Sequence, residues 1–135
     1  MSHIVKKPWG YENRWAVNEK YIGKLLHIDR GHKLSLQYHE KKDETIYVLS
    51  GILKLHVGGE AHQDVIVLAE GDSYRIKPGV VHRFEAPKHG VDVELIEVST
   101  PEIDDVVRLD AEHPLSVTLT PQGEAVPQLP VRFGL

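Results

Sequence analysis

The sequence predicts an all-β domain built as a sandwich or a barrel. Short apolar stretches recur at even spacing, Gly and Pro residues separate them, and no stretch has a convincing helical pattern. Many short strands with turn residues between them are typical of these two architectures. At 135 residues, the chain has the length of a single domain.

The first predicted strand covers residues 21–29, where alternation places Lys24 on the same face as Leu26 and Ile28. Residues 45–49 are apolar and rich in β-branched side chains, and Ser50-Gly51 is a turn signal that follows them. Residues 52–57 alternate again, with apolar side chains at every second position. These three segments are therefore predicted strands, and Lys24 is expected to point inward.

Gly58-Gly59 then predicts a hairpin to residues 65–68, an apolar run of the kind found in buried strands. After turns at Gly71-Asp72 and Pro78-Gly79, the side chains of His82, Phe84 and Ala86 share one face of the next strand. Residues 91–98 form the last strand of the predicted series.

The composition changes after Pro101, which suggests a boundary near residue 110. Residues 102–110 are polar and predict a turn or a short helix, so the predicted domain is 1–110. Residues 111–135 contain four prolines, and only residues 115–119 alternate as an edge strand would. This last segment is predicted to be either a partly ordered tail or an arm that packs on a second subunit.

The charge and composition exclude several function classes. A net charge of −4 argues against nucleic acid or an anionic membrane as the main partner. There is no cysteine, so neither a disulfide nor a thiolate metal site is possible. No run approaches the roughly 20 apolar residues of a membrane span, and the first residues lack the apolar core of a signal peptide. We therefore expect a cytoplasmic protein.

Two stretches of the chain carry residues that ligate metals. Gln37 and His39 are two apart and project from the same face of a strand, and Glu44 follows a short polar turn. His82 comes from a later strand. Imidazole and carboxylate ligands from adjacent strands predict a site for one divalent transition metal. Zinc is the first candidate, and manganese, iron, cobalt and nickel remain alternatives.

The spacing of these residues is similar to the two motifs of the cupin superfamily. The first motif runs from Gly31 to Gly51 and contains Gln37, His39 and Glu44; the second contains Gly71, Gly79 and His82. The usual first motif has His at position 37. The resemblance covers about residues 20–100 and implies a single small jelly-roll barrel. Because cupins of this size are commonly dimers, it also implies a homodimer.

Further segments resemble the type II phosphomannose isomerase domain, which occurs alone or as the C-terminal part of mannose-1-phosphate guanylyltransferases. The matching segments are KPWGYE at 7–12, KLSLQYH at 33–39, GVVHRFE at 79–85, IEV at 96–98 and DDVVR at 104–108. The family uses Gln, His, Glu and His as metal ligands, which accounts for Gln37. Its basic residue two before the Glu matches Lys42.

The resemblance implies interconversion of mannose 6-phosphate and fructose 6-phosphate, with a sugar or sugar phosphate as ligand. A phosphate needs cations near the barrel mouth, and the candidates are Lys24, Lys33, Lys42 and Arg108. For each of them, a solvated surface charge is the alternative. A general base must also take a proton from carbon, and the sequence does not identify it.

Two departures from the isomerase family keep other functions open. The family's Asp-Tyr-Gly-Arg ending is absent after Asp110, and its His-rich stretch is replaced by residues 40–43. Both changes fall where the sugar and phosphate would bind. The alternatives are another metal-dependent cupin enzyme, such as a dioxygenase or lyase, and a non-catalytic module that binds a nucleotide sugar or a small acid. One fold hosts many functions, so the fold alone does not decide.

Overall fold

The computed structural model describes residues 3–109, and within that range it contains eleven β-strands and no helix. The bounds are β1 (His3–Lys7), β2 (Gly10–Val17), β3 (Ile22–Ile28), β4 (Gln37–Tyr38), β5 (Glu44–Ser50), β6 (Leu53–Gly58), β7 (Gln63–Leu68), β8 (Ser73–Ile76), β9 (Val81–Glu85), β10 (Val93–Ser99) and β11 (Val107–Arg108). The prediction of an all-β jelly roll is confirmed. The predicted tail or arm, 111–135, lies outside the described residues, as does its proposed strand at 115–119.

The strands form two antiparallel sheets that enclose one core. The six-stranded sheet has the order β1-β2-β3-β10-β5-β8, and the five-stranded sheet has the order β11-β4-β9-β6-β7. The apolar core takes side chains from the inner faces of both sheets, among them Leu26, Ile46, Leu55, Phe84 and Leu95. Each fully buried Leu, Ile or Phe side chain contributes about 1.5–3 kcal/mol. The predicted alternation on β3 and β6 is what places their apolar side chains in this core.

The inner face of the six-stranded sheet changes from apolar to charged along its strands. Leu26 on β3 lies opposite Leu95 on β10, and both are buried in the core. Two residues along, the cross-strand pair is Lys24 and Glu97, which are equally buried. Because side chains at i and i+2 of a strand share a face, one end of the barrel is filled by apolar groups and the other end is lined by charged ones.

Two motif glycines make turns that other residues could not. Gly51 has φ +84°, and a Cβ there would lie 2.6 Å from the carbonyl oxygen of Asp92. Gly79 also has φ +84°, and its N–H donates to the carbonyl of His39 at 2.7 Å. L side chains rarely adopt this backbone conformation. This hydrogen bond joins the two predicted motifs, because Gly79 belongs to the second motif and His39 to the first.

Three details of the secondary structure differ from the sequence prediction. Residues 65–68 lie in β7, at an edge of the five-stranded sheet, and Val65 and Val67 are 53% and 62% exposed, so the apolar run is not a buried strand. Residues 102–109 form turns, which is one of the two predicted alternatives, together with β11, which was not predicted. The N-terminal segment, expected to lie ahead of the barrel, forms β1 and β2, which extend the six-stranded sheet.

No helix among residues 3–109 is long and apolar enough to cross a membrane.

A cluster of charged side chains lies on the outer face of the six-stranded sheet, at the end of the sheet whose inner face is apolar. The ring of His27 stacks on Tyr11 with centroids 5.0 Å apart. Its Nδ1 lies 3.0 Å from Glu94, and its Nε2 lies 3.2 Å from Asp92 and 3.6 Å from Asp29. The hydrogen bond to Glu94 raises the pKa of His27 above its ordinary value of 6.5, against a smaller opposing effect of burial.

We expect this cluster to make stability depend on pH. A His whose folded pKa is raised contributes stability that is complete below about pH 6.5 and is lost as pH rises through the folded pKa. His27→Gln should therefore lower the free energy of unfolding by about 1 kcal/mol at pH 6, and by less at pH 9. Urea unfolding at both pH values measures this. His62→Gln, at an exposed ring, is the control, and an equal loss at both pH values for His27→Gln would contradict the assignment.

Candidate metal centre

The turn between His39 and Glu44 is held in place by Asp105, which lies more than 60 residues later in the chain. Three successive backbone N–H groups donate to the carboxylate of Asp105, at 3.0, 2.7 and 2.9 Å: those of Glu40, Lys41 and Lys42. Burial alone would raise the pKa of Asp105, but these hydrogen bonds hold it below its ordinary value. The Nδ1 of His39 also contacts the backbone carbonyl of Asp105. Asp105 therefore fixes both the turn and the imidazole that precedes it.

His82 reaches the same place from the five-stranded sheet. It lies on β9, opposite Gln37 on β4, and its Nδ1 lies 2.9 Å from the carbonyl oxygen of Val80. His39, Glu44 and His82 are 4%, 2% and 1% exposed. The structure thus brings the two His and the Glu of the predicted ligand set together between the sheets.

The facing atoms of these three side chains are close without being hydrogen bonded. The Nε2 atoms of His39 and His82 lie 3.4 and 3.2 Å from the same oxygen, Oε1 of Glu44. Both Nε2 atoms and both Glu44 oxygens are buried and have no hydrogen-bond partner among the described residues. Unpaired buried polar atoms are rare because each costs free energy.

The hydrogen bonds of the two rings determine which of their atoms face Glu44. A backbone carbonyl only accepts, so Nδ1 of His39 and Nδ1 of His82 each carry the hydrogen. In the neutral rings, both Nε2 lone pairs then face the carboxylate of Glu44. One divalent cation would satisfy all three groups.

The spacing also fits a metal ion. Ligand nitrogen and oxygen atoms lie about 2.0–2.2 Å from zinc, so neighbouring ligands in a four- to six-coordinate site are roughly 3.0–3.6 Å apart. The separations of 3.2 and 3.4 Å fall in that range. A His whose other ring nitrogen donates to a carbonyl is the usual arrangement at such sites. His39, Glu44 and His82 are the residues that would hold the ion.

Gln37 lies beside this group, and its role as fourth ligand stays a prediction. Its cross-strand partner is His82, which puts the two side chains on one face. Its Oε1 accepts a hydrogen bond from Ser35 at 3.0 Å. A carbonyl oxygen has a second lone pair, so this bond leaves the oxygen able to coordinate an ion.

A chain of alternating charges runs from the cluster across the inner face of the six-stranded sheet. Lys42 lies 3.5 Å from Glu44 and 3.3 Å from Glu97, and Lys24 lies 4.0 Å from Glu97 and 3.6 Å from Glu12. All five side chains are buried. At the far end, Glu12 accepts a hydrogen bond at 2.8 Å from Arg14. Each charge between the two ends therefore has an opposite charge on both sides.

The alternating order of these charges explains the pKa shifts of Glu44, Glu97 and Lys42. Burial would raise the pKa of Glu44, but its neighbours, among them the positive charge of Lys42, hold the pKa well below its ordinary value. Burial and the carboxylate of Glu44 raise the pKa of Glu97, and the two lysines oppose them only in part. For Lys42, burial is outweighed by Glu97 and Glu44, so its pKa is raised and it stays charged.

The four predicted phosphate-binding cations lie in different surroundings. Lys24 points inward, as its alternation with Leu26 predicts, but it and Lys42 are paired with buried carboxylates. Lys33 is exposed, so we do not include it in the site. Arg108 is half-buried on β11, directly opposite Gln37, and has no ion pair within residues 3–109.

Sequence reasoning did not identify Asp105, Glu97 or Glu12 as site residues. All three occurred only within segments that resemble the isomerase family. For Glu97 there was a usable signal, because it alternates with Leu95 on an otherwise apolar strand face. For Asp105 there was none, since its partners are more than 60 residues away.

Comparison with known proteins identifies relatives that include mannose-1-phosphate guanylyltransferases. The chain is 34% identical over 116 residues to the mannose-1-phosphate guanylyltransferase ManC of Salmonella typhimurium, which covers 84% of this chain and 23% of that protein. It is 34% identical to a mannose-1-phosphate guanylyltransferase of Escherichia coli, over 77% of this chain and 21% of that protein. The xanthan biosynthesis protein XanB of Xanthomonas campestris is 33% identical over 78% of this chain and 22% of that protein. The chain thus spans less than a quarter of these relatives.

Solved structures of low identity share the fold. KdgF from Halomonas sp. matches with a TM-score of 0.64 at 20% identity, over 74% of this chain and 88% of that one. CapF from Staphylococcus aureus, a capsular polysaccharide assembling protein, matches with a TM-score of 0.70 at 15% identity, over 82% and 35%. Oxalate decarboxylase from Bacillus subtilis matches with a TM-score of 0.68 at 19% identity, over 80% and 30%.

The family model for the cupin domain matches residues 24–99, from the strand that carries Lys24 to the end of β10. This range contains both predicted motifs and the three clustered ligand side chains. Together with the two-sheet jelly roll, the match shows that this chain belongs to the cupin family.

Proposed function

We propose that this protein is a metal-dependent sugar-phosphate isomerase of the mannose-6-phosphate/fructose-6-phosphate type. The observation that carries the proposal is the buried cluster of two imidazoles and one carboxylate, His39, His82 and Glu44. The similarity to mannose-1-phosphate guanylyltransferases supports a phosphorylated mannose as the substrate class. The resemblance to the type II phosphomannose isomerase domain supports the reaction.

Besides a general base to carry the proton, the reaction needs stabilisation of negative charge, which this site can supply. Aldose–ketose isomerisation moves a proton between carbons 1 and 2 and places negative charge on the adjacent oxygen. A divalent cation held by His39, Glu44 and His82 would supply a Lewis acid for that oxygen. The buried walls keep bulk water away, which strengthens every electrostatic interaction inside the barrel.

Asp105 is a positioning residue in this proposal. Its carboxylate binds three N–H groups of the turn before Glu44, and its carbonyl orients the imidazole of His39. Groups that orient metal ligands typically change metal affinity by 10- to 100-fold when they are removed. Asp105 therefore acts on the metal through the two ligands that it holds.

The alternative function is a cupin that binds a small sugar or acid without isomerising it. The turn of residues 40–43 differs from the isomerase family, and its Lys42 is committed to the ion pairs with Glu44 and Glu97. A residue neutralised in this way is a weaker partner for a substrate anion. Binding without turnover in the next experiment would select this alternative.

We expect the metal-loaded protein to exchange the carbon-2 proton of mannose 6-phosphate in heavy water and to form fructose 6-phosphate. Proton NMR measures both. His82→Ala should slow the exchange by at least about 10²-fold, because the cation is lost. His56→Ala, at a ring bonded to Glu85, is the control and should keep the rate. Absence of exchange with zinc, manganese, iron, cobalt and nickel would contradict the isomerase proposal.

Asp105→Asn should weaken metal binding by about 10- to 100-fold and lower the free energy of unfolding by about 1–3 kcal/mol. An amide replaces one acceptor oxygen with an NH₂ group that faces backbone N–H donors. Metal affinity is measured by competition with a chelator, at a temperature well below the unfolding transition. Asp104→Asn, at an exposed neighbouring residue, is the matched control. Unchanged affinity in a folded Asp105→Asn variant would remove the positioning role.

A further inference from the structure

The outer face of the six-stranded sheet carries apolar side chains where a solvated face would carry polar ones. Tyr47 lies opposite Ile96, which lies opposite Leu25, and in the next row Val98 lies opposite Gly23. An antiparallel sheet with one face in water normally alternates apolar and polar residues. The central strands here are apolar on both faces, as strands are when both faces are covered. We call this group the outer patch; its members are Ile4, Trp15, Leu25, Tyr47, Ile96 and Val98.

Trp15 is positioned in advance as part of this surface. It lies where the register of β2 against β3 shifts, between Arg14 and Ala16. A Cβ on Gly23 would lie 2.6 Å from atoms of the indole ring, so the absence of a side chain there allows the ring to lie against the sheet. Trp15 is nevertheless 46% exposed. A fixed but exposed aromatic side chain is typical of the anchor residues of protein interfaces.

Charged side chains are confined to the rim of the outer patch. Glu94 and His27 form the row beyond Ile96, and on the opposite side Arg75 is ion-paired with Asp43. Between these two groups, the described outer-face positions of β3, β10 and β5 carry no side chain that is charged at neutral pH. In a twofold contact, a side chain near the axis meets its own copy, so a charge there would be buried against a like charge. The outer patch avoids this repulsion.

The exposed area of the outer patch matches what a stable dimer needs. Four of its members are 45–51% exposed, and the other two are half-buried. Because an aromatic side chain offers about 150–250 Å² and an aliphatic one somewhat less, the patch presents roughly 400–500 Å² of apolar surface. A standard interface buries about 800 Å² of each partner, of which about 60% is apolar. The patch is therefore large enough to supply the apolar part of such an interface.

The shape of the surface also suits a second copy. Two sheets that pack face to face keep their strands within about 30° of each other because both sheets are twisted. A second copy presents a sheet of the same twist. The outer face of the five-stranded sheet offers no comparable surface in the described part of the chain, since Val67 lies opposite Lys54 and Lys54 lies opposite Glu85.

We propose that a second copy of this chain packs on the outer patch, sheet against sheet across a twofold axis, with Ile96 and Val98 at the centre of the contact. Trp15 and Tyr47 flank this centre on the neighbouring strands. The resemblance to cupins implies a dimer but assigns no surface to it. The proposal does not depend on the proposed isomerase reaction.

The proposed dimer leaves the metal centre of each copy complete. Glu44 lies on β5 and Glu97 on β10, and both project from the opposite face of the strands that carry Tyr47 and Val98. The two metal clusters therefore face away from the contact, and neither needs a residue from the second copy.

Sedimentation equilibrium of the full chain tests the assignment of the face. The wild type should be a dimer at micromolar concentration. Val98→Lys should raise the dissociation constant by at least about 10²-fold, because an ammonium group would be buried against its own copy. Val67→Lys, at a valine that is 62% exposed on the other sheet, is the matched control and should remain a dimer. Circular dichroism checks that both variants are folded.

A second measurement leaves the contact intact. The chain has two tryptophans, and Trp9 packs against the core, so Trp9→Phe makes Trp15 the only source of indole fluorescence. On dilution, the emission of Trp15 should move to longer wavelength as water reaches the ring. The midpoint of this change should fall at the dissociation constant that sedimentation gives.

Three results would overturn the proposal. A wild type that stays monomeric, with Trp15 emitting as an exposed indole, would leave the outer patch to a different protein. A monomer in which Trp15 emits as a buried indole would assign the patch to residues 110–135 of the same chain. A dimer that Val98→Lys does not weaken, or that dissociates without any change in the emission of Trp15, would place the contact on another face.

Discussion

The arrangement on which the rest of the site depends is the contact of one buried carboxylate with two imidazole lone pairs. Backbone carbonyls occupy Nδ1 of His39 and Nδ1 of His82, so their Nε2 atoms can only present lone pairs to Glu44. Without a cation this contact is unfavourable, because three electron-rich groups meet in a region of low dielectric. The barrel maintains it because both rings and the turn before Glu44 are held by hydrogen bonds from elsewhere in the fold.

The second constraint is the placement of charge. A jelly roll needs an apolar interior for stability, yet one end of this interior carries ionised side chains. The fold separates apolar side chains from ionised ones along the strands. In β10, for example, Leu95 belongs to the core and Glu97 belongs to the site. Buried ion pairs contribute little net stability, because desolvation offsets the attraction. Their contribution here is to fix the positions of charged groups beside the metal cluster.

The sequence was sufficient for the parts of the site that are local. The two-residue period of a strand determines that Lys24 faces inward with Leu26, and the spacing of the two motifs brings His39 and His82 to the same cavity. The sequence was insufficient where a contact joins distant segments. Asp105 caps a turn more than 60 residues earlier, and no local pattern encodes this. The exposure of Val67 depends on β7 being an edge strand, which is a property of the sheet and not of the apolar run.

The most direct test of this account is X-ray absorption spectroscopy of the protein after it has been loaded with zinc and freed of excess metal. The account predicts one ion per chain with nitrogen and oxygen ligands at about 2.0–2.2 Å, and with the multiple-scattering signature of two imidazoles. Protein that retains no ion after loading with zinc, manganese, iron, cobalt or nickel would contradict the account. An ion bound without imidazole would contradict it as well, because the contact of His39, Glu44 and His82 would then need another explanation.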